Sequence, residues 1–412
     1  MQELDSTAEF DLVHDTEFFA ALPGLPAVFA VEPRAELAGA NPHLLRTANL
    51  RQRLMRLLGQ PDPASKRLNL RNFAARVRYR VVGSPFELSF LHWQHARRQW
   101  PAAYRERMRL RPPAVLKVSV ANEYPRCYAT RHIGASGFYF GPFLSRRAAD
   151  VFASGFLDLF KIRRCRIKIR RDPSYPGCIY SEMKMCLAPC FAGCSKEEYD
   201  AETGRVVAFL STAGGSLTAE LEREREAASG ALDFERAAAV HRRIEKAAEA
   251  LRGLPDLARR IEDLNAVILQ RAAEENTVAV FVVRAGRIEE PRLLRFSELA
   301  SEPRSVEQIL REWLEGAPDA ASPSAKPPAS QQSYRELEDQ LSLLARWFYK
   351  KPRAGEIFFR EAAARSSAAA PQDEASARRN SEWPYRRILR ACSRLLAPPG
   401  EESAAGSQTP KH

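Results

Sequence analysis

The sequence predicts an α+β protein made of several modules in series, and three observations lead to that fold class. Along its 412 residues the composition changes from Arg-rich mixed sequence to a cysteine-rich, then a helical, then a β-rich stretch. Helical periodicity is concentrated in residues 216–252, and alternating β-rich runs in residues 263–300. A chain of this length can bury a core in each of about two to four domains without disulfides.

The first module is predicted over residues 18–112 as a small mixed sheet with helices. A helix and turn, "EFFAALPGLP", precede a short apolar strand, "AVFAV". A second helix is predicted from about Asn49 to Leu58.

Six of the seven cysteines lie in the second module, residues 113–200, and five of them fall within "KIRRCRIKIRR" and "CIYSEMKMCLAPCFAGC". The N-terminal sequence does not have the pattern of a secretory signal, and no stretch approaches the ~18 apolar residues of a membrane span. We therefore expect a cytoplasmic protein without a membrane partner. In that compartment clustered cysteines bind metal more often than they form disulfides, and buried core thiols are the alternative.

The charge distribution indicates a polyanionic partner without identifying it. The chain carries 63 Lys and Arg against 51 Asp and Glu, a net charge of +12. Residues 161–171 contain seven basic and no acidic residues, and the alternation there predicts a strand with one charged face. Arg166, Lys168 and Arg170 are therefore candidates for phosphate contact, and a solvated strand face is the alternative.

The third module, residues 201–253, is predicted to be a helical hairpin. Leu217 and Leu221 share one stripe of a first helix. Gly230 interrupts that helix, and Asp233 is the predicted N-cap of a second. Apolar residues recur at three- and four-residue steps along the second helix: Phe234, Ala237, Val240, Ile244, Ala247, Ala248 and Leu251. Such short helices are not stable alone, so this face needs a partner, either the rest of the chain or another protein.

A small β-rich unit is predicted over residues 260–315, with a turn at "RAGR". The remaining residues, 316–412, contain Pro/Ala/Ser linkers that cannot bury a core, up to the end of the chain. Between the linkers, "ELEDQLSLLARWFYKKPRAGEIFF" and "EWPYRRILRACSRLLAPP" are predicted to be helical.

Three of these stretches resemble the UvrC family, the incision subunits of bacterial nucleotide excision repair. "YFGPF", "CLAPC" and "SKEEY" are the closest matches to the family's cysteine region. "ALDFERAAAVHRRIEK" resembles the UVR motif through which UvrC contacts UvrB, and "HLLRTANLRQRLMRLL" is similar to the second half of the GIY-YIG nuclease motif. The resemblance covers roughly residues 18–360 and implies two partners, DNA and a UvrB-like helicase subunit.

The resemblance also implies a four-cysteine cofactor site. The matching thiols are Cys165, Cys178, Cys186 and Cys190. An iron–sulfur cluster of the four-iron type is expected, since four thiolates are its usual ligands, and zinc is the alternative for the same sulfurs. Cys194 continues the spacing and is a candidate extra ligand. Cys127 and Cys392 stand alone and are expected to be ordinary thiols.

The nuclease signature is altered at its central positions. Mapping the resemblance residue by residue retains Arg53 as the catalytic arginine and puts His43 where the second signature has its tyrosine. Phe29 replaces the tyrosine of the first signature, and His92 stands where the family has its metal-ligating glutamate. A neutral imidazole is a poor replacement for a carboxylate toward a hard metal ion. We therefore expect incision to be impaired, with Mg²⁺ or Mn²⁺ needed only if the site is active.

The sequence thus predicts a UvrC-like DNA-repair protein. Arg46, which stands where the family has a lysine, and Arg51 are further candidates for DNA contact. The predicted partner-facing stripe of the hairpin is Phe234, Ala237, Val240 and Ile244. The alternatives are an active metal-dependent single-incision endonuclease, and a metal-cluster sensor or adaptor unrelated to repair. No counterpart of the family's C-terminal ribonuclease-H-like and helix-hairpin-helix domains is expected.

Overall fold

The computed structural model describes residues 3–37, 39–61, 64, 66–299, 301–316, 330–360 and 383–397. The predicted linkers and chain end fall on residues 317–329, 361–382 and 398–412, outside the described residues. Three antiparallel sheets and twelve α-helices in the described ranges confirm the predicted α+β class. No helix among them combines the length and the apolar character needed to cross a membrane.

The N-terminal module is a four-stranded sheet with helices on both faces. Its elements are β1 Ser6–Glu9, α1 Asp15–Ala21, β2 Ala27–Pro33, β3 His43–Thr47, α2 Leu50–Leu58, β4 Ala74–Val81, α3 Pro85–Gln99 and α4 Tyr104–Arg107. The strand order is β1-β4-β2-β3, so the sheet includes a strand before the predicted start at residue 18. The predicted strand and both helices are confirmed, and the Asn49 side chain caps α2 by accepting from the Gln52 amide at 3.0 Å.

The middle module contains six of the seven cysteines and the hairpin. Its elements are β5 Ala114–Val118, β6 Cys127–Thr130, β7 Phe138–Phe143, α5 Arg146–Leu157, α6 Ile179–Glu182, α7 Lys196–Ser211, α8 Gly215–Gly230, α9 Phe234–Leu251 and β8 Arg259–Arg260. The sheet order is β6-β5-β7-β8, so the chain returns to this sheet after the hairpin. Helices α5, α7, α8 and α9 share one apolar core with the sheet.

The predicted helical hairpin is confirmed in the middle module. The Asp233 side chain accepts from the Arg236 amide at 3.0 Å and so caps α9 as predicted. Leu217, Leu221 and Val240 are buried between the hairpin and the rest of the module. The base of the hairpin therefore finds its apolar partner within the chain.

The predicted strand within residues 161–171 is wrong. This stretch is an irregular loop. The Arg163 side chain turns inward and donates to the Ile167 carbonyl at 2.9 Å, an acceptor that a strand ladder would need. The alternating basic and apolar residues of this stretch therefore belong to an exposed loop that surrounds the buried Arg163 side chain.

The C-terminal module is a five-stranded sheet with helices on both faces. Its elements are β9 Ala266–Arg271, β10 Thr277–Arg284, β11 Arg287–Ile288, β12 Arg292–Arg295, α10 Val306–Glu315, α11 Gln331–Phe348, β13 Glu356–Phe359 and α12 Tyr385–Leu396. The order is β11-β10-β9-β13, with β12 also paired to β10, and the predicted "RAGR" turn joins β10 to β11. The prediction of helix across "GEIFF" is wrong, because these residues pair with the open edge of β9.

Helix α11 locks the N-terminal module onto the C-terminal sheet. Asp339 of α11 is buried, accepts from the Tyr104 hydroxyl at 2.5 Å and pairs with Arg105 at 2.7 Å. Gly83, just before α3, lies so close to the end of β9 that a Cβ there would stand 2.1 Å from the backbone carbon of Ala272. The three modules are therefore in direct contact, and α3 is held from two sides.

Candidate metal centre and nucleic-acid interface

The four predicted ligand cysteines lie in one neighbourhood of the middle module. The charges of Cys165, Cys178 and Cys190 all act on the Cys186 thiol. None of the four forms a disulfide. Burial, which disfavours the thiolate, raises the pKa of Cys186 to about 11. Residues far apart in the loop thus converge on a shared, partly buried position.

The loop around "CLAPC" supplies a backbone donor to one sulfur. The Ala188 amide donates to Cys186 Sγ at 3.3 Å, a contact that stabilises the negative thiolate. Ala188 and Ala192 adopt left-handed φ values of 56° and 62°, which non-glycine residues rarely do. These two bends enclose the short turn that carries Cys190.

The chemistry of these donors suits a thiolate-bound metal or cluster, whereas their present arrangement does not. In the described ranges, no group of three or more His, Cys, Asp or Glu side chains is arranged so that it could hold a metal ion. Four soft sulfur donors nonetheless form the ligand set of iron–sulfur and structural zinc sites. Cofactor binding here therefore requires a rearrangement of the four thiols.

Cys194 is separated from the four by its packing. It is 6% exposed and belongs to the apolar core of the middle module. Burial raises the pKa of Cys194. Of the four candidate ligands, only Cys190 also affects that pKa. Cys127 and Cys392 are buried core thiols, as predicted.

The basic loop divides into a buried anchor and an exposed rim. Arg163 is 6% exposed and donates to the Tyr124 carbonyl at 2.7 Å, so it organises the loop from within. The predicted phosphate contacts Arg166, Lys168 and Arg170 are all exposed. No ion pair in the described residues involves these three side chains, so their charges face solvent.

The predicted partner-facing stripe of the hairpin is divided between core and surface. Val240 is 3% exposed and Ile244 packs against the same core, while Ala237 is partly buried. Phe234 is 66% exposed at the tip, beside Leu232, which is 74% exposed. The sequence interpretation missed Leu232, although an apolar residue within the turn after Gly230 was a usable signal.

The residues mapped to the nuclease signature do not form one site. His43 on β3 packs edge-on against Phe73, with ring centroids 4.8 Å apart. Arg46, three positions later, points to the opposite face of the sheet, where it donates to Ser89 Oγ of α3 at 2.9 Å. His92 lies one turn after Ser89 on α3. His43 and His92 are therefore on opposite faces of the sheet.

The surroundings of His92 favour a neutral imidazole. Burial, with smaller contributions from the charges of Arg46 and His95, lowers the pKa of His92 to about 4. Its Nδ1 is buried and has no hydrogen-bond partner in the described structure. Glu87 is buried too, but its carboxylate accepts from the Gly83 amide at 3.0 Å at the start of α3. Positive charge beside His92 opposes a cation at this position.

The other mapped residues lie on the face that carries α1 and α2. Phe29 is fully buried in the core under these helices. Arg51 donates to the Leu22 carbonyl at 2.7 Å and so is engaged at the end of α1. Arg53 is partly buried on α2, on the same side of the sheet as His43. Arg53 and His43 thus share one side of the sheet, and His92 lies on the other.

Comparison with known proteins finds a family match within the middle module. Residues 114–209, from β5 to α7, match the family model described as "UvrC/Cho excinuclease, middle domain". Residues 114–209 are therefore similar to the middle domain of UvrC and Cho excinucleases. No solved structure shows a significant match to the chain.

Curated UvrC relatives are similar over part of their length. The UvrABC system protein C of Ruminiclostridium cellulolyticum is 30% identical over 175 residues, 42% of this chain and 28% of that protein. The protein of the same name from Moorella thermoacetica is 26% identical over 274 residues, 66% of this chain and 44% of that protein. The protein from Chlamydia caviae is 30% identical over 194 residues, 45% and 31% of the two chains. The chain therefore matches less than half the length of these UvrC relatives.

Proposed function

We propose that this chain is a DNA-repair protein of the UvrC type that acts in nucleotide excision repair by binding DNA and a UvrB-like subunit. The observation that carries the proposal is the UvrC middle domain, whose matched residues include the basic loop and the cysteines. In this proposal the N-terminal module contributes contacts but no incision.

DNA is proposed to bind along the exposed rim of the basic loop. Arg166, Lys168 and Arg170 present positive charge to solvent from one loop, while Arg163 holds that loop to the module. Contacts of this kind to phosphates give affinity that falls with salt, without base specificity. The variant Arg166→Gln/Lys168→Gln/Arg170→Gln is expected to bind duplex DNA more weakly and with a shallower salt dependence. Equal affinity and slope in this variant and the wild type would refute the interface.

The tip of the hairpin is proposed to contact the UvrB-like subunit. Leu232 and Phe234 are the exposed apolar side chains there, whereas Val240 is used within the core. Exposed aromatic residues dominate the energetics of many protein interfaces. Phe234→Ala is expected to abolish capture of UvrB while leaving thermal unfolding unchanged. The matched variant Val240→Ala is expected to lower stability instead. If neither variant loses capture of UvrB, this assignment is contradicted.

The thiols Cys165, Cys178, Cys186 and Cys190 are proposed to bind an iron–sulfur cluster, with zinc as the alternative. A bound cofactor would cross-link the loop through four sulfurs and so rigidify the DNA-binding rim. The measurement is iron, sulfide and zinc content after anaerobic purification, together with the visible absorption spectrum. Cys186→Ser is expected to lose the metal, and Cys127→Ser, which removes a buried core thiol, is expected to retain it. Metal-free wild-type protein would refute the proposal.

The runner-up, a metal-dependent single-incision endonuclease, receives little support from the geometry. His43 and His92 lie on opposite faces of the sheet, and Arg46 places positive charge beside His92. The deciding assay is cleavage of a nicked or lesion-containing duplex, with UvrB present, in magnesium and then in manganese. We expect no cleavage. Cleavage that disappears in Arg53→Ala would restore the nuclease interpretation.

A further inference from the structure

Arginines from three separate segments converge on the α3 face of the N-terminal sheet. Arg46 lies on β3, Arg111 follows α4, and Arg346 lies near the end of α11. The hydrogen bond from Arg46 Nη1 to Ser89 Oγ, 2.9 Å long, holds its guanidinium group against α3. This face is therefore reached by basic side chains that are distant in the sequence.

Helix α11 positions the other two arginines. Ser342 Oγ donates to the carbonyl of Arg111 at 2.6 Å. One turn later, Arg346 donates to the carbonyl of Arg109. The chain from Arg109 to Arg111 thus runs along α11. The charges of Arg46 and Arg111 both act on the guanidinium of Arg346, which places the three groups in one electrostatic neighbourhood.

Among the residues that the structure describes, no acidic side chain neutralises this cluster. Burial and other basic residues shift the pKa values of Arg46, His92 and Arg346, and no carboxylate is among the groups that raise or lower them. No described ion pair joins Arg46, Arg111 or Arg346 to an acid. Like charges held close together repel one another, and an anion bound between them removes that repulsion. The cluster is therefore suited to an anionic ligand.

We propose that Arg46, Arg111 and Arg346 form a phosphate-binding site that holds a backbone phosphate of DNA. Guanidinium groups stay charged at physiological pH and donate paired hydrogen bonds to phosphate oxygens. The site rests on the proposed DNA-binding function and adds a second contact surface, away from the basic loop. It attracts phosphate by its own charge, without the divalent ion that the nuclease resemblance implies beside position 92.

The test compares two variants that lose the same charge. The site variant is Arg46→Gln/Arg111→Gln/Arg346→Gln. The control is Arg242→Gln/Arg386→Gln/Arg390→Gln, which changes exposed arginines on α9 and α12. Affinity for a nicked duplex is measured against salt concentration in EDTA. Each lost phosphate contact is expected to reduce the logarithmic salt slope by about 1, so the site variant becomes shallower than the control.

A conservative variant guards against misfolding. Arg46→Lys/Arg111→Lys/Arg346→Lys retains three charges and is expected to retain most of the wild-type salt slope, although the paired hydrogen bonds are lost. The same measurement in magnesium is expected to match that in EDTA.

Three results would overturn the site. The first is an equal slope in the site variant and the control. The second is a salt slope in the lysine variant that is as shallow as the slope of the glutamine site variant. The third is wild-type binding that EDTA weakens as much as the glutamine substitutions do, since a metal would then hold the phosphate. A wild-type protein that binds no DNA would refute the proposed function and this site together, whereas DNA binding with equal slopes refutes this site alone.

Discussion

Acidification should reveal the unusual environment of His92. Its pKa is lowered from the ordinary value of 6.5 to about 4, first by burial and then by the charge of Arg46. At neutral pH the imidazole is therefore uncharged in the folded protein. In the unfolded chain the same group titrates at its ordinary value.

The size of the effect follows from linkage between protonation and folding. Between pH 6.5 and 4 the unfolded state binds more protons at His92 than the folded state, so stability falls as the pH falls. Each unit of pKa difference corresponds to about 1.4 kcal/mol, which gives about 3 kcal/mol lost at His92 over this interval. Other titrating groups add their own slopes, so the contribution of His92 is isolated by subtraction.

The direct assay is a proton NMR titration of the histidine rings, with His92→Gln used to assign the resonance. We expect His92 to titrate near 4 in the wild type and at a higher pH in Arg46→Gln, because one positive neighbour is removed. Denaturant unfolding at several pH values should show a weaker acid destabilisation in His92→Gln. A His92 resonance that titrates near 6.5 would refute the burial of the ring, whereas a titration unaffected by Arg46→Gln would refute the placement of the Arg46 charge beside it.

Three further substitutions and one control substitution test the packing that positions these sites. Gly83→Ala forces a Cβ into the backbone at the end of β9 and should destabilise docking by about 1–3 kcal/mol. Gly155→Ala, in open space on α5, should be neutral or stabilising in the same thermal unfolding assay. Tyr199→Phe removes a buried hydroxyl that bridges two backbone groups and should cost about 2 kcal/mol in denaturant unfolding. Asp339→Asn weakens the buried contacts of α11 with Tyr104 and Arg105 and should speed hydrogen exchange in α3. Unchanged exchange would show that these contacts do not hold the N-terminal module against α11.

Local signals in the sequence predicted the elements that local interactions build. The N-cap predicted at Asp233 and the helix start predicted at about Asn49 are both observed, and both side chains accept a backbone hydrogen bond. A cap depends on residues within one turn, so it can be identified without knowledge of the fold. The hairpin and the "RAGR" turn were predictable for the same reason.

Elements built by distant contacts were not predictable. The strand β13 forms because the edge of β9 is open, and that edge comes from a different part of the chain. Glu338 and Asp339 look like surface residues of an exposed helix, yet both are buried by partners on other modules. The convergence of Arg346 with Arg46 depends on the same docking, so the sequence gives no sign of it.

The cysteine site lies between these cases. The resemblance to the UvrC cysteine pattern implied Cys165, Cys178, Cys186 and Cys190 as a set, and the fold does bring them into one neighbourhood. Their spacing could not predict that Cys194 turns into the core, because the apolar partners of Cys194 lie outside the loop. A regular spacing therefore identifies candidates, whereas packing decides which of them share a site.

The charge at position 92 determines what this face of the sheet can attract. A carboxylate there would attract a cation, and the cation would in turn attract phosphate. With histidine at that position and Arg46 beside it, the face attracts phosphate directly. His92→Glu should therefore weaken DNA binding in EDTA, because the new carboxylate neutralises Arg46. The control His92→Gln should not, and the two are compared by the salt dependence of affinity for a nicked duplex. Stronger binding by His92→Glu in EDTA would show that the arginines do not contact DNA.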